Sequence, residues 1–286
     1  MKIKNIINYG KTVLQEANRH FEDYLSIVCI AKYEAYYVKE WVDYHLLIGV
    51  DRIYFYDNES PDNTVEILKP YIESGKLVYN LIEGRARQLD AYNDAVKRYA
   101  NRTKYMAFID LDEFLVLEDE HSSLQETIDL IMNKDKRAGG LAVNWCVYGS
   151  SGHEKRPDGL VMENYLYRGT PDRRGNDCIK TIANPRVIEK YQHVHYPTYK
   201  AGFYSLDENG KRIDGWSNPR GGDTKFIRIN HYFTKSKEEW IERRSRGKAD
   251  TKDENDKRTL DEFYEHDEND VYDNIMLRYS KLLKGR

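Results

Sequence analysis

A chain of 286 residues is long enough for one sizeable α/β domain with a small appendage. Hydrophobic residues make up 40% and charged residues 33%, a soluble globular composition, and the net charge of −3 gives nucleic acid no electrostatic case as main partner. Three widely spaced cysteines exclude a disulfide framework or a zinc site and point to a reducing, cytoplasmic setting; Cys29 and Cys146, in apolar runs, read as core.

No segment approaches the roughly 20 apolar residues that span a bilayer. The opening "MKIKNIINYGKTVLQEANRHF" lacks the apolar core and cleavage site of a secretory signal. It reads as an N-terminal helix over residues 1–20, with Ile3, Ile6, Ile7, Val13 and Leu14 among lysines, which leaves room for peripheral contact with the inner face of the cell membrane or a membrane-bound acceptor.

From Tyr24 to Glu34, "YLSIVCIAKYE" is a continuous apolar run of the kind buried on both faces of a sheet. Val38, Trp41, Val42, His45 and Leu46 then share a helical face, and Gly49 stands where that helix stops. "DRIYFYDNESPDN" predicts a second strand, broken by Asp57, Asn58, Ser60 and Pro61. A helix follows, capped near Asp62 or Asn63 and closed at Gly75. "KLVYNLIEG" predicts a third strand, "RARQLDAYNDAVKRYA" a third helix, and "KYMAFIDLDEF" a fourth strand. Four alternations of strand and helix predict an open, mostly parallel central sheet flanked by helices. Ligands of such sheets lie outside the carboxyl ends of the strands, here Lys32–Glu34, Asp57–Ser60, Glu83–Gln88 and Asp110–Glu113.

The second half is less regular. Short strands are expected in "AGGLAVNWCVYG", "CIKTIANP", "YQHVHYPTY" and "TKFIRINHYFTKS". After Lys237 charge outweighs apolar residues, which predicts solvated helix or disorder until the amphipathic "VYDNIMLRYSKLL" closes the chain. The abundance of tyrosine, 24 copies, reads either as composition bias or as rings lining a groove for sugars or a nucleobase.

Asp110 and Asp112 lie two apart, so on a strand their carboxylates face one way while Leu111 packs behind. Such a pair suits a hard divalent cation that keeps waters and accepts phosphate oxygens. An acidic strand end without metal is the plain alternative. An apolar strand followed by Asp-x-Asp also resembles haloacid-dehalogenase-type phosphatases, but that pattern continues with Gly or Val and then Thr, where this chain has Glu113 and Phe114.

Several blocks together carry a different likeness. "AKYEAYYVKEWVDYHLLIGVDRIYFYDNESPDNT", "QLDAYNDAV", "AFIDLDEFL", "VYGSSGHEKRPDGLVMENY", "IKTIANP", "HVHYP" and "INHYFTKSKEEWIERRSRG" occur in the order found in family 2-like and family 92-like glycosyltransferases. The resemblance, over residues 24–248, implies an α/β GT-A fold across residues 21–236 with a charged helical C-terminal extension over 237–286. It also implies transfer of a sugar from a nucleotide-diphosphate donor, a UDP-sugar, to a glycan or other hydroxyl acceptor, with inversion, in surface polysaccharide biosynthesis. A metal-dependent phosphatase or phosphodiesterase, or a silent sugar-binding module on the same fold, are the alternatives.

On that likeness Mn²⁺ or Mg²⁺ is held by Asp110, Asp112 and His231, with Asp112 the direct ligand. Ala31, Tyr33, Glu34 and Asp57 border the nucleoside, Arg87 and Gln88 meet the ribose or diphosphate, and Asp110 and Lys180 face the nucleotide-sugar. Arg243, Arg244, Arg246 and Lys248 form a basic run able to close over diphosphate. His193 and His195 read first as structural. Inversion needs a carboxylate base; Asp223 is preferred among Glu154, Asp158, Glu163, Asp172, Asp177 and Asp214, with no spacing rule to decide.

Overall fold

A computed structural model describes residues 19–219, 224–246 and 258–285, the side chains of 244–246 excepted. The expected helix over residues 1–20 lies almost wholly outside these.

Strands β1 (Asp23–Ala31), β2 (Arg52–Asp57), β3 (Leu77–Leu81) and β4 (Thr103–Phe108) alternate with helices α1 (Val38–Leu47), α2 (Thr64–Glu73) and α3 (Gln88–Tyr99). The four strands pair in parallel in the order β3-β2-β1-β4. Side chains alternate across this sheet. Ile27 and Cys29 therefore pack with Val38, Trp41 and Leu68 on one face, while Val28 and Met106 meet Ala91, Tyr92 and Ala95 on the other. Gly49 and Gly75 end α1 and α2 with φ of 102° and 71°, a region open to glycine.

Beyond β4 the sheet is mixed rather than mostly parallel. β5 (Glu113–Leu117) precedes α4 (Leu124–Met132), whose Ser123 and Glu126 form a capping box. The long β6 (Ala138–Val147) precedes α5 (Val161–Asn164), β7 (Tyr167–Arg168) and β8 (Ile179–Ala183). β8 runs antiparallel between β4 and β6. A hairpin of β9 (Ile188–Tyr191) and β10 (Pro197–Tyr199) follows, then β11 (Tyr204–Leu206) and β12 (Arg212–Ile213), which extend the sheet beside β6. β13 (Ile227–His231) pairs antiparallel with β5 and parallel with the end of β6. Its register sets His231 opposite both Glu113 and Val147.

Three local expectations change. The fourth strand does not run through the acidic residues: it stops at Phe108, and Asp110 and Asp112 occupy a turn closed by the Glu113 N–H on the Asp110 carbonyl, 3.1 Å. His193 and His195 sit in the β9–β10 loop, not on a strand.

The charged C-terminal region, read as solvated or disordered, is docked in its described parts, residues 237–246 and 258–285. Helices α6 (Lys237–Arg246), α7 (Leu260–His266) and α8 (Leu277–Lys284) flank β14 (Val271–Tyr272), which pairs with β7. Asp267 accepts the Ser150 N–H and hydroxyl, and Asp273 receives Arg168 and Arg228 at 2.8 and 2.7 Å. Ion pairs hold this segment together with apolar contacts: Phe263 packs on Trp240, and Met276 and Leu283 reach the core. Among the described residues no helix is long and apolar enough to cross a membrane.

Candidate active site

The carboxyl ends of β1 to β4 open into a cleft of about 530 Å³. Ala31, Lys32 and Glu34 enter it from β1, Asn58 from β2, and Arg85 to Gln88 from the loop after β3. The acidic turn and Lys180 form its floor. Trp145, His231, Phe233, Trp240 and Arg243 form the far wall, with Arg258, Glu262 and His266 at its C-terminal edge. A second cleft of about 410 Å³, lined by Tyr33, Tyr36, Arg156, Lys235 and others, shares Glu34 and Arg243 with the first.

The two aspartates face different partners because they sit on a turn. Asp110 Oδ1 accepts from Gln88 Nε2 at 2.6 Å and from the Tyr92 hydroxyl at 3.3 Å, while Oδ2 lies 2.7 Å from Lys180 Nζ. Asp112 Oδ2 accepts from Arg243 Nη2 at 2.8 Å, and its Oδ1 stands 3.6 Å from His231 Nε2. Burial pushes the Asp112 carboxyl up, but Arg243 and His231 outweigh it and hold it well below the usual carboxylate range.

Glu113 is fully buried, with Oε2 accepting the Asp110 N–H at 2.9 Å and standing 3.8 Å from Lys180 Nζ. Its Oε1 has no hydrogen-bond partner, and burial pushes the carboxyl well above the usual carboxylate range. Lys180, 1% exposed, stays charged: burial alone would lower it, but Asp110 and Glu113 raise it. Burial and the neighbouring Lys180 push His195, whose Nδ1 lies 2.8 Å from the Ile179 carbonyl, down to about 3, so this cleft-lining imidazole is neutral.

The expected site residues divide accordingly. Asp110, Asp112, Lys180, His231, Arg87, Gln88 and Glu34 come together at the first cleft. Arg87 also pairs with Asp90 at 2.9 Å in the first turn of α3. Tyr33 lines the second cleft, its N–H on Ser60 Oγ at 3.0 Å. Asp57, 2% exposed, lines neither; its carboxylate accepts from the Ser60 N–H and the Tyr79 hydroxyl and so caps its own turn. Glu154, Asp158, Glu163, Asp172, Asp177 and Asp214 also line neither cleft. Glu163 pairs instead with Lys284, and Asp214 with Arg212. Asp223 and Lys248, and the side chains of Arg244 and Arg246, lie outside what is described.

Sequence reasoning missed Trp145, Phe233, Trp240 and Glu262. The first three stood in quoted blocks, as aromatic residues beside polar ones, but apolar pattern alone reads them as core.

Divalent cations of the magnesium type bind through one or two carboxylates plus substrate phosphates rather than a cage of side chains. Among the described residues no three potential ligands cluster. Asp112 Oδ1 and His231 Nε2, 3.6 Å apart, still fit: two donors each about 2.1 Å from one ion stand about 3 Å apart at a right angle. Asp110, on the same turn and lining the same cleft, offers a second carboxylate.

The family model described as Glycosyltransferase family 92 matches residues 25–265. A family 92 protein of Oryza sativa subsp. japonica is 28% identical over 187 residues, 64% of this chain and 32% of that protein. A galactan β-1,4-galactosyltransferase of Arabidopsis thaliana is 34% identical over 106 residues, 33% of this chain and 20% of its own length. The chain thus spans about a third or less of these relatives. The crystal structure of S. aureus TarS 1-349 in complex with UDP superposes with a TM-score of 0.38 at 16% identity, over 57% of this chain and 47% of that one. A match that runs from β1 through α7 leaves the assignment plain: this chain is a member of glycosyltransferase family 92, a family of nucleotide-sugar glycosyltransferases.

Proposed function

We propose that the chain is a metal-dependent GT-A glycosyltransferase that moves a hexose from a UDP-sugar to a glycan hydroxyl with inversion. One observation carries this reading: the acidic turn lines one cleft together with Lys180, Arg243, Arg85 and Arg87. Carboxylates ringed by cations suit a cation and a diphosphate together, and neither alone. The similarity to the Arabidopsis galactan galactosyltransferase supports a hexosyl donor and a glycan acceptor.

In this reading Asp112 and His231, together with Asp110, would hold Mn²⁺ or Mg²⁺. When bound, the ion offsets charge that grows on the leaving diphosphate. Lys180, almost wholly buried, serves the same end from a site where a fixed positive charge acts more strongly than in solution. Gln88 holds Asp110 in place by its side-chain amide, and Glu113 Oε2 fixes the Asp110 backbone N–H. The first-cleft loop Arg85–Gln88 borders the ribose and diphosphate. Asp223 stays a sequence-based candidate for the base.

Thermal unfolding with UDP and Mn²⁺ tests the donor half directly. A ligand at a hundred times its Kd adds about 2.7 kcal/mol to stability. An unfolding temperature unmoved by UDP with Mn²⁺ would sink this reading.

A further inference from the structure

The loop between β9 and β10 is tied to the floor of the first cleft through one residue. His195 Nδ1 lies 2.8 Å from the Ile179 carbonyl, and the His195 carbonyl accepts from Thr181 Oγ1 at 2.9 Å. Ile179 and Thr181 are the residues that flank Lys180 on β8. The His195 N–H donates to His193 Nδ1 at 3.3 Å. Backbone donor, backbone acceptor and one ring nitrogen are thus committed, while among the described residues nothing bonds the other ring nitrogen, Nε2. We propose that His195 Nε2 accepts a hydrogen bond from a hydroxyl of the transferred sugar and so helps to select the donor. This rests on the donor reading of the first cleft, which His195 lines.

The tautomer follows from the tether. A carbonyl oxygen only accepts, so Nδ1 carries the ring proton, and in a neutral imidazole Nε2 is then a bare lone pair. Burial and the charge of Lys180 both oppose a second proton. An acceptor without a proton takes a hydroxyl and turns away a carboxylate or phosphate oxygen, which brings only lone pairs of its own. Beside the buried ammonium of Lys180 it is also a poor seat for a second divalent ion.

Position assigns the hydroxyl to the sugar. The Trp145 ring packs on His231 and on His195, with centroids 4.2 and 5.0 Å away. One cleft-lining indole therefore links the proposed metal ligand to the bare nitrogen. Ribose and diphosphate are assigned to the loop Arg85–Gln88, and the part of the donor left for the wall of Trp145 and His195 is the hexose. Small-molecule sites draw specificity from a few such placed polar groups in a wall otherwise built of rings and apolar side chains. Because the imidazole is held before the ligand arrives, no rotamer has to be frozen on binding.

The test uses the full chain with Mg²⁺ and, one at a time, UDP, UDP-galactose, UDP-glucose and UDP-N-acetylglucosamine. In long-range ¹H–¹⁵N spectra of the wild type, His195 should show a protonated Nδ1 and a bare Nε2. The Nε2 resonance should move with at least one of the UDP-sugars and stay in place with UDP or Mg²⁺ alone. His195→Phe should weaken that UDP-sugar about 3- to 10-fold by calorimetry, the worth of one neutral hydrogen bond, and leave UDP affinity unchanged. Deoxyfluoro analogues of that sugar carry fluorine, which cannot donate, in place of one hydroxyl each. One of them should lose the same factor on the wild type and nothing further on His195→Phe. The wild-type spectra and the analogue series decide the point even where the variant does not fold.

A protonated Nε2, an Nε2 that answers to Mg²⁺ or UDP alone, or one indifferent to all three UDP-sugars would each overturn the proposal. So would equal losses of UDP and UDP-sugar in His195→Phe, analogues that all bind as the parent does, or an analogue loss that persists undiminished in the variant. An Nε2 that moves only with β-1,4-galactotetraose would make it an acceptor contact and overturn the proposal as well. UDP that fails to bind the wild type removes the donor reading, and this proposal with it.

Discussion

Arg243 Nη2 lies 2.8 Å from Asp112 Oδ2, and Nη1 of the same guanidinium donates to the Phe233 carbonyl at 2.8 Å. A cation from α6 is thereby fixed against the carboxylate proposed to hold metal.

Arg243→Met should therefore cost about 3–5 kcal/mol, the penalty for leaving a buried charge without its partner. A bound divalent ion supplies that missing charge, so Mn²⁺ should restore part of the loss in the variant. Thermal unfolding with and without Mn²⁺ decides the point; an equal deficit in both would remove Asp112 from the metal site.

Lys180→Met leaves Asp110 and the buried Glu113 but takes away the fixed positive charge. On the proposed reaction kcat should fall about 10²–10³-fold, the typical cost of losing one preorganised charge stabiliser. Donor KM should move far less. A variant that lost donor affinity and kept kcat would make Lys180 a binding group only.

Glu40, 8% exposed on α1, accepts the backbone N–H groups of Val161 and Met162 at 2.7 and 3.1 Å. Burial pushes its carboxyl up to about 7 against those donors. A folded value above the unfolded one of 4.5 means that its contribution is complete below pH 4.5 and is lost as pH rises through 7. The loss is of order 3 kcal/mol, at about 1.36 kcal/mol for each unit. Glu40→Gln should flatten this slope, while its amide NH₂ faces a backbone donor and lowers stability by about 1–3 kcal/mol at every pH. Urea unfolding across pH 4.5 to 8 shows both effects; an unchanged slope in the variant would refute the assignment.

Gly149 admits the C-terminal segment closely. A Cβ there would stand 2.3 Å from the Glu268 carbonyl and 2.5 Å from Asn269 Oδ1. Gly149→Ala should cost about 1–3 kcal/mol as overpacking and should lift the segment from the core. Limited proteolysis is expected to cut the variant first between α7 and α8. Cleavage as slow as in the wild type would contradict this.

The first half of the fold was legible because its signals are local. Apolar runs, Gly49, Gly75 and the Asp62–Asn63 cap fix where strands and helices begin and end. Strand direction is not local: nothing in "CIKTIANP" says that β8 enters antiparallel between β4 and β6, and so the mixed sheet was missed. The acidic turn was misread for a related reason. Apolar residues continue through Leu111 and Phe114, while the hydrogen bonds from the Asp110 and Glu113 N–H groups that break the strand leave no trace in hydrophobicity. Ion pairs such as Arg228–Asp273, made across 45 residues, were equally invisible, and the C-terminal segment read as solvated.

The length of β6 has a mechanical consequence. Its early residues pair with β8, the strand of Lys180, and its last three pair with β13, the strand of His231. One continuous peptide ribbon thus sets the gauge between the lysine and histidine that flank the acidic turn. A residue inserted between Val143, which pairs with Lys180, and Val147, which pairs with His231, would change that gauge by one step. Redesign of the cleft has its freedom in the surrounding loops and its rail in β6.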